Sequence, residues 1–265
     1  FDAGVIGAVP DLRIIARTGV GYDNVDVEAA SRHGVIVCTT PGANQQSVAE
    51  LTLALMMCCT RGIIPAATEV QAGGWTQRTG LELAGATLGV LGLGSIGKEV
   101  ALLAKALGMR ILAHDTNLDH DFITHAGIQQ RSLPELLAES DVLTVHLALT
   151  PQTQHLIGAA ALAQMKPGSF LINTSRGGVI DQQALAEALR SGHLGGAGLD
   201  VLEEEPPGPG NALLQAPNLV ITPHIGGATH QARGRSSLLA ADQVIDHLQD
   251  RPVAHPVRPL STERG

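Results

Sequence analysis

The sequence predicts an α/β protein built around a doubly wound parallel sheet, and three observations carry that expectation. An apolar run, Leu88, Gly89, Val90 and Leu91, breaks at Gly92-Leu-Gly94-Ser95-Ile96-Gly97, after which residues 98–107 carry apolar positions at helical period. From residue 87 onward, short continuous apolar runs alternate with helical patterns, as strands covered on both faces do. Aromatic residues make up only 2% while glycines number 31, so the core must be Ala, Val, Leu and Ile at close helix-on-sheet approach.

In chain order, residues 12–16 read as a short buried strand, Gly19-Val20-Gly21 as a turn, and 27–33 as a helix closed by Gly34. Residues 35–38 read as a second strand, and Thr39-Thr40-Pro41-Gly42 breaks the pattern, which places a domain boundary just beyond it. Residues 47–59 form a helix apolar almost all round, expected to be buried between layers or domains, with Met56 and Met57 as core filling. The strands expected beyond it are 87–92, 110–114, a weak 128–130, 142–147, 169–173, 196–200 and 219–221. Ser132-Leu-Pro-Glu135 is a capping box that opens one helix, Asp181 caps another that Gly192 ends, and 229–249 is a long final helix.

The glycine spacing acquires meaning from its setting between strand and helix. Gly92 allows the tight turn, Gly94 lets a pyrophosphate approach the backbone, and Gly97 lets the helix lie against the sheet. The helix start offers free N–H groups and partial positive charge to phosphates. Asp115 ends the next apolar run, where a carboxylate meets the adenosine ribose hydroxyls, about 20 residues past the glycines. Thr116 and Asn117 follow it with no adjacent cation for a 2′-phosphate, so NAD is expected over NADP.

Ligands of such a sheet lie beyond the carboxyl ends of its strands. The strand at 169–173 delivers Thr174, Ser175, Arg176 and two glycines; 196–200 delivers Asp200 and then Glu203, Glu204 and Glu205; 219–221 delivers Thr222, Pro223 and His224. A fixed cation for a carboxylate and carbonyl, a histidine to move a proton, and an acid behind it to fix its tautomer are the parts of a hydroxy-acid oxidoreductase. Residue types alone leave open which of the three glutamates serves the histidine.

Other classes are disfavoured. The formal charge is −8 with no basic run, so nucleic acid and anionic membranes are not expected partners. Cys38, Cys58 and Cys59 form no C-x-x-C pair, and His114, His146 and His155 lack metal-ligand spacing, so no metal is expected. Such cysteines fit reduced thiols in a cytoplasmic protein. The longest apolar block, 51–59, is too short to span a bilayer.

These residues also resemble a family. Arg17-Thr-Gly-Val-Gly-Tyr-Asp-Asn-Val-Asp26, Gly92 to Gly97, Asn173-Thr-Ser-Arg-Gly-Gly178, Leu199-Asp-Val-Leu-Glu-Glu-Glu-Pro206 and Pro223-His-Ile-Gly226 together look like the D-2-hydroxyacid dehydrogenases, nearest to their D-3-phosphoglycerate dehydrogenase branch. The resemblance implies an NAD-dependent oxidoreductase that interconverts a small (R)-2-hydroxy acid and its 2-oxo acid, with phosphoglycerate-like or hydroxypyruvate-like substrates favoured. It implies Arg176, Glu205 and His224 as catalytic residues, with Glu205 the partner of His224. It implies Arg17, Val20, Gly21 and Arg176 at the substrate, and Gly92, Gly94, Ser95, Ile96, Gly97, Asp115, Thr174, Asp200, His224 and Gly226 at NAD.

The implied plan is discontinuous. A Rossmann-type NAD domain would occupy 44–227, and 1–43 with 228–265 would form a smaller flavodoxin-like substrate domain lacking its N-terminal part. Several tens of family residues precede the position of Phe1, and without them the small sheet would show an unpaired edge. A homodimer through the cofactor domain is implied as well. The chain departs from the family at Ser95, where a long residue such as Arg is usual, and at His146-Leu-Ala148, where the family has H-x-P. A reading from another class, an NAD(H)-sensing corepressor-like interaction protein, shares the same residues, as does a remnant that binds cofactor without turnover.

Overall fold

The structure is a computed structural model that describes residues 1–258; residues 259–265 of the expected substrate domain lie outside the described residues. The chain forms two compact units, 1–47 with 227–265 (unit 1) and 48–226 (unit 2).

Unit 1 begins with α1 (Ala3–Gly7), which the sequence reading did not anticipate; the Asp2 side chain accepts from the Val5 N–H at its start. β1 (Ile14–Ala16) and β2 (Ile36–Cys38) pair in parallel across α2 (Val27–Arg32), whose N-cap is Asp26. The unit boundary falls inside α3 (Gln45–Arg61).

In unit 2, α3 is not buried all round. Thr52, Leu55, Met56 and Thr60 are buried, but Ala54 is exposed and Met57 half-exposed. A helix against one layer hides only one stripe, however apolar its other side. At Gly62, in the left-handed region (φ +58), the chain turns by 64° into α4 (Ile63–Gln71), also unanticipated. Among the described residues no single helix is long and apolar enough to cross a membrane.

The sheet then builds in alternation. β3 (Thr87–Leu91) leads through α5 (Ser95–Ala106) to β4 (Arg110–His114) and through α6 (His120–Ala126) to β5 (Gln129–Gln130). α7 (Leu133–Glu139), opened by the Ser132–Glu135 capping box, returns the chain to β6 (Val142–Val145). α8 (Ala159–Gln164), β7 (Phe170–Asn173), α9 (Gln182–Arg190), β8 (Gly196–Leu199) and β9 (Leu219–Ile221) complete it. All seven strands are parallel, in the order β5-β4-β3-β6-β7-β8-β9. The order reverses at β3, so a crevice opens beyond the ends of β3 and β6.

One sheet face packs Leu88, Val90 and Ile111 against Val100, Ala101 and Ala104 of α5; the other packs Leu91, Leu112 and Leu143 with Leu136 and Leu137 of α7. α7 leaves no room for a side chain on β3, because a β-carbon at Gly89 would fall 2.0 Å from Ser140 Oγ. Each fully buried Leu contributes roughly 1.5–3 kcal/mol.

The chain returns to unit 1 with α10 (His230–Leu248), capped by Thr229, whose Oγ1 accepts from the Ala232 N–H. β10 (Pro256–Val257) then adds to β2 antiparallel, giving the order β1-β2-β10. The expected strands run one or two residues longer than those formed, except at 110–114 and 219–221, and two of the differences bear on the site. β6 ends at Val145, with His146 and Leu147 beyond it, and β8 ends at Leu199, so Asp200 is the first residue past the strand.

Candidate active site

The glycine turn sits where β3 enters α5. Gly92 has φ +94, and a β-carbon there would lie 2.7 Å from the His146 carbonyl oxygen; at Gly97 it would lie 2.1 Å from the Gly92 carbonyl oxygen. Both glycines are demanded by the chain's own packing. Gly94 is different: its φ is −71, and nothing of the chain lies within 4 Å of where a β-carbon would be. The glycine there keeps open the space before a twelve-residue helix that no side chain caps. That space suits a pyrophosphate held by the N–H groups at Ser95, Ile96 and Gly97. Asp115 faces the same turn, Oδ2 accepting from the Leu93 N–H at 2.6 Å and Oδ1 from the Asn117 N–H at 2.9 Å. Its oxygens retain lone pairs for ribose hydroxyls.

Beyond β7, Asn173 shapes the loop that carries Arg176. Its Nδ2 donates to the Arg176 carbonyl at 2.9 Å, and its Oδ1 accepts from both the N–H and the hydroxyl of Ser175. Arg176 Nη1 donates to the Ser175 carbonyl at 2.6 Å. Thr174 is buried, its hydroxyl 2.8 Å from that of Thr52 on α3. Gly177 lets this loop lie on the segment after β8, since a β-carbon would fall 1.9 Å from the Leu202 carbonyl carbon.

Asp200 is 2% exposed, and its carboxylate clamps the turn after β9. Oδ1 accepts from the Thr222 hydroxyl (2.6 Å) and the Ile225 N–H (2.8 Å), and Oδ2 from the Gly226 N–H (2.8 Å). The clamp holds His224 in the left-handed region (φ +53), uncommon for a residue with a side chain. His224 Nδ1 lies 2.7 Å from Glu205 Oε2, while Glu205 Oε1 accepts from the Leu202 N–H at 3.0 Å. Glu203 is engaged elsewhere, accepting from the Gln182 N–H at 3.2 Å with His155 Nε2 at 3.4 Å, and Glu204 is exposed.

His146 follows the end of β6 and lies against the glycine turn at Gly92. Its Nε2 is 2.9 Å from the Thr144 hydroxyl, its Nδ1 has no partner, and burial pushes its pKa down to about 3. Among the described residues no group of three or more His, Cys, Asp or Glu could hold a metal ion.

In unit 1, Arg17 Nε donates to the Gly21 carbonyl at 3.2 Å, curling the loop that follows β1. Val20 is exposed there and Gly21 half-exposed. Sequence reading missed Asn173, Thr52 and Thr222 as positioning residues. An Asn at a strand end before Thr-Ser is a local turn signal, whereas the Thr52 and Thr222 bonds span elements distant in sequence.

A parallel sheet with a glycine-lined crevice, and an arginine, a carboxylate and a histidine beyond its strand ends, defines an NAD-binding oxidoreductase domain. The profile of the D-isomer specific 2-hydroxyacid dehydrogenase NAD binding domain matches residues 53–226. A glyoxylate reductase of Aeropyrum pernix is 42% identical over 260 residues, 95% of this chain and 78% of the relative. A D-3-phosphoglycerate dehydrogenase of Archaeoglobus fulgidus is 41% identical over 264 residues; there the match takes in 99% of this chain but 50% of the relative, so this chain spans about half its length. The crystal structure of a glyoxylate reductase from Paecilomyes thermophila superposes with a TM-score of 0.89 at 38% identity, covering 97% of this chain and 79% of that one. The chain belongs to the D-isomer specific 2-hydroxyacid dehydrogenases, whose cofactor is NAD.

Proposed function

We propose that this chain interconverts a small (R)-2-hydroxy acid and its 2-oxo acid, with a glyoxylate-, hydroxypyruvate- or phosphoglycerate-like substrate. The His224–Glu205 pair at 2.7 Å carries the reading. With Nδ1 engaged by a carboxylate, Nε2 is the atom left to take the proton of the substrate hydroxyl, and Glu205 stabilises the imidazolium that results. Arg176 binds the substrate carboxylate and polarises the carbonyl, its loop fixed by Asn173. Gly94, Ser95, Ile96 and Gly97 receive the pyrophosphate, and Asp115 the ribose. Thr174, Asp200 and Gly226 border the nicotinamide end. NAD supplies the hydride acceptor and, reduced, the hydride donor. Unit 1 acts as the substrate domain, with Arg17 and the N–H groups of Val20 and Gly21 directed to the substrate.

Ile63, Ile64 and Val70 of α4 are exposed and Trp75 beyond it is 83% exposed, an apolar face in unit 2 that suits a homodimer. Free thiols at Cys38, Cys58 and Cys59 suit the reducing cytoplasm.

NADH oxidation against glyoxylate, hydroxypyruvate, phosphohydroxypyruvate, 2-oxoglutarate and pyruvate tests the reaction. Turnover of at least one is expected; NADH binding with no turnover of any of them would overturn the reading.

A further inference from the structure

Unit 1 holds a cavity of about 260 Å³ lined by Thr18, Asn44, Gly227, Arg233, Ser236 and Ser237. It lies just below the ~300–1,000 Å³ of pockets for whole drug-sized ligands. At ~30 Å³ per water it admits a small acid or a terminal phosphate and excludes a dinucleotide.

The polar groups around it are not engaged by the chain. Among the described residues, the Arg233 guanidinium makes no ion pair or hydrogen bond, and the hydroxyls of Thr18, Ser236 and Ser237 make none. Asn44 Oδ1 is buried with no partner. Several other polar side chains of the same unit are satisfied: Arg235 Nε donates to the Ala43 carbonyl at 2.8 Å, Gln243 Nε2 to the Thr39 carbonyl at 2.9 Å, and the Ser47 and Thr229 hydroxyls are 2.7 Å apart, while the buried Thr40 hydroxyl has no partner. Two arginines two residues apart on α10 thus differ: Arg235 ties the helix to its own unit, and Arg233 lines the cavity. At Gly227 a β-carbon would come 3.2 Å from Asn44 Nδ2, so the glycine keeps that wall clear.

A guanidinium with no partner among the described residues calls for an anion, and its fork matches carboxylate or phosphate. We infer that this cavity is an oxyanion site in which Arg233 pairs with the carboxylate or phosphate of a small acid, with the hydroxyls of Thr18, Ser236 and Ser237 in the same lining to donate to it. The anion is either a second charged group of the substrate or a separate molecule. The site stands on unit 1 alone, and only the choice between these sources rests on the proposed function.

Inorganic phosphate titrated into ¹⁵N-labelled chain, followed at the arginine Nε–Hε signals, tests it. A saturable shift at Arg233 is expected, weakened at least tenfold in Arg233→Gln and partly kept in Arg233→Lys. No saturation, or saturation unchanged in Arg233→Gln, overturns the site. The sources separate kinetically. A KM for phosphohydroxypyruvate that rises tenfold in Arg233→Gln, with that for glyoxylate unchanged, makes the anion the substrate's far group. Both KM values unchanged, with phosphate binding still lost, makes it a separate molecule. If the unsubstituted chain turns over neither substrate, the proposed function fails while the phosphate titration still decides the site.

Discussion

In unit 2 every residue of β3, β6 and β8 is buried, and the sheet carries an extensive apolar cluster on each face. In unit 1 two three-residue strands and one of two residues lean on a single small cluster: Ile6, Ile15, Val25, Ala29, Ala30, Val35 and Val37. Hydrophobic stabilisation scales with apolar area removed from water, so unit 2 has a large reserve and unit 1 a thin one. That difference assigns tasks. Unit 2 can hold His224 in an uncommon backbone conformation and keep Asp200 buried because the surrounding sheet over-determines both. Unit 1 offers loops and a cavity on a lighter frame.

His224→Ala should lower kcat by ~10²–10⁴-fold with NADH affinity unchanged, because proton transfer is removed while the sheet stays intact. Fluorescence titration beside steady-state kinetics reads both, and an equal loss of NADH affinity would mean the turn serves binding. Leu143→Ala, in the larger cluster, should cost ~2–5 kcal/mol. Val37→Ala should cost less, roughly 2 kcal/mol from two lost methyl groups, yet abolish hydrogen-exchange protection across unit 1 first. Protection lost evenly from both units in that variant would refute the contrast in depth.

Smaller effects sharpen it within one motif. Gly97→Ala should destabilise unit 2 by ~1–3 kcal/mol or more, since the new methyl meets backbone. Gly94→Ala should leave the melting temperature near that of the parent but weaken NADH at least tenfold, as its methyl enters the space assigned to pyrophosphate. His146 gives the smallest effect. Its pKa is about 3 folded and ~6.5 unfolded, so the unfolded chain binds the extra proton and stability falls as pH drops through that window. Between pH 7 and 5 the loss should be about 1–2 kcal/mol and should be absent in His146→Gln, measured by urea unfolding.

The parts of this contrast differ in how far sequence reveals them. The parallel strands were legible because burial on both faces leaves continuous apolar runs, and the glycine spacing because backbone meets backbone at Gly92 and Gly97. α4 was not, because Thr60, Arg61 and Gly62 read as the end of a helix and no side chain caps the new one. α6 has no clear apolar period, only the Asp119 cap. β10 pairs with residues from the far end of the chain and leaves no local mark. At the site, residue types supplied an arginine, a histidine and three glutamates. Which glutamate faces the histidine is decided by the path of the segment after β8, where Glu203 turns to the start of α9 and Glu205 to His224. The left-handed turn at His224 depends on the Asp200 clamp, a contact between two strand ends that no window of sequence contains.

The pairing of β10 with β2 also sets a schedule. On the ribosome, β1 and β2 are made before unit 2, whereas the helix and strand that join them in unit 1 are made only after it. At ~5–20 residues per second the interval is about 10–40 s. Through it the nascent β2 lacks β10 beside it and β1 lacks α10, while all of unit 2 has been made. Pausing or slowed translation late in the message should lower the yield of native chain more than the same delay placed within unit 2.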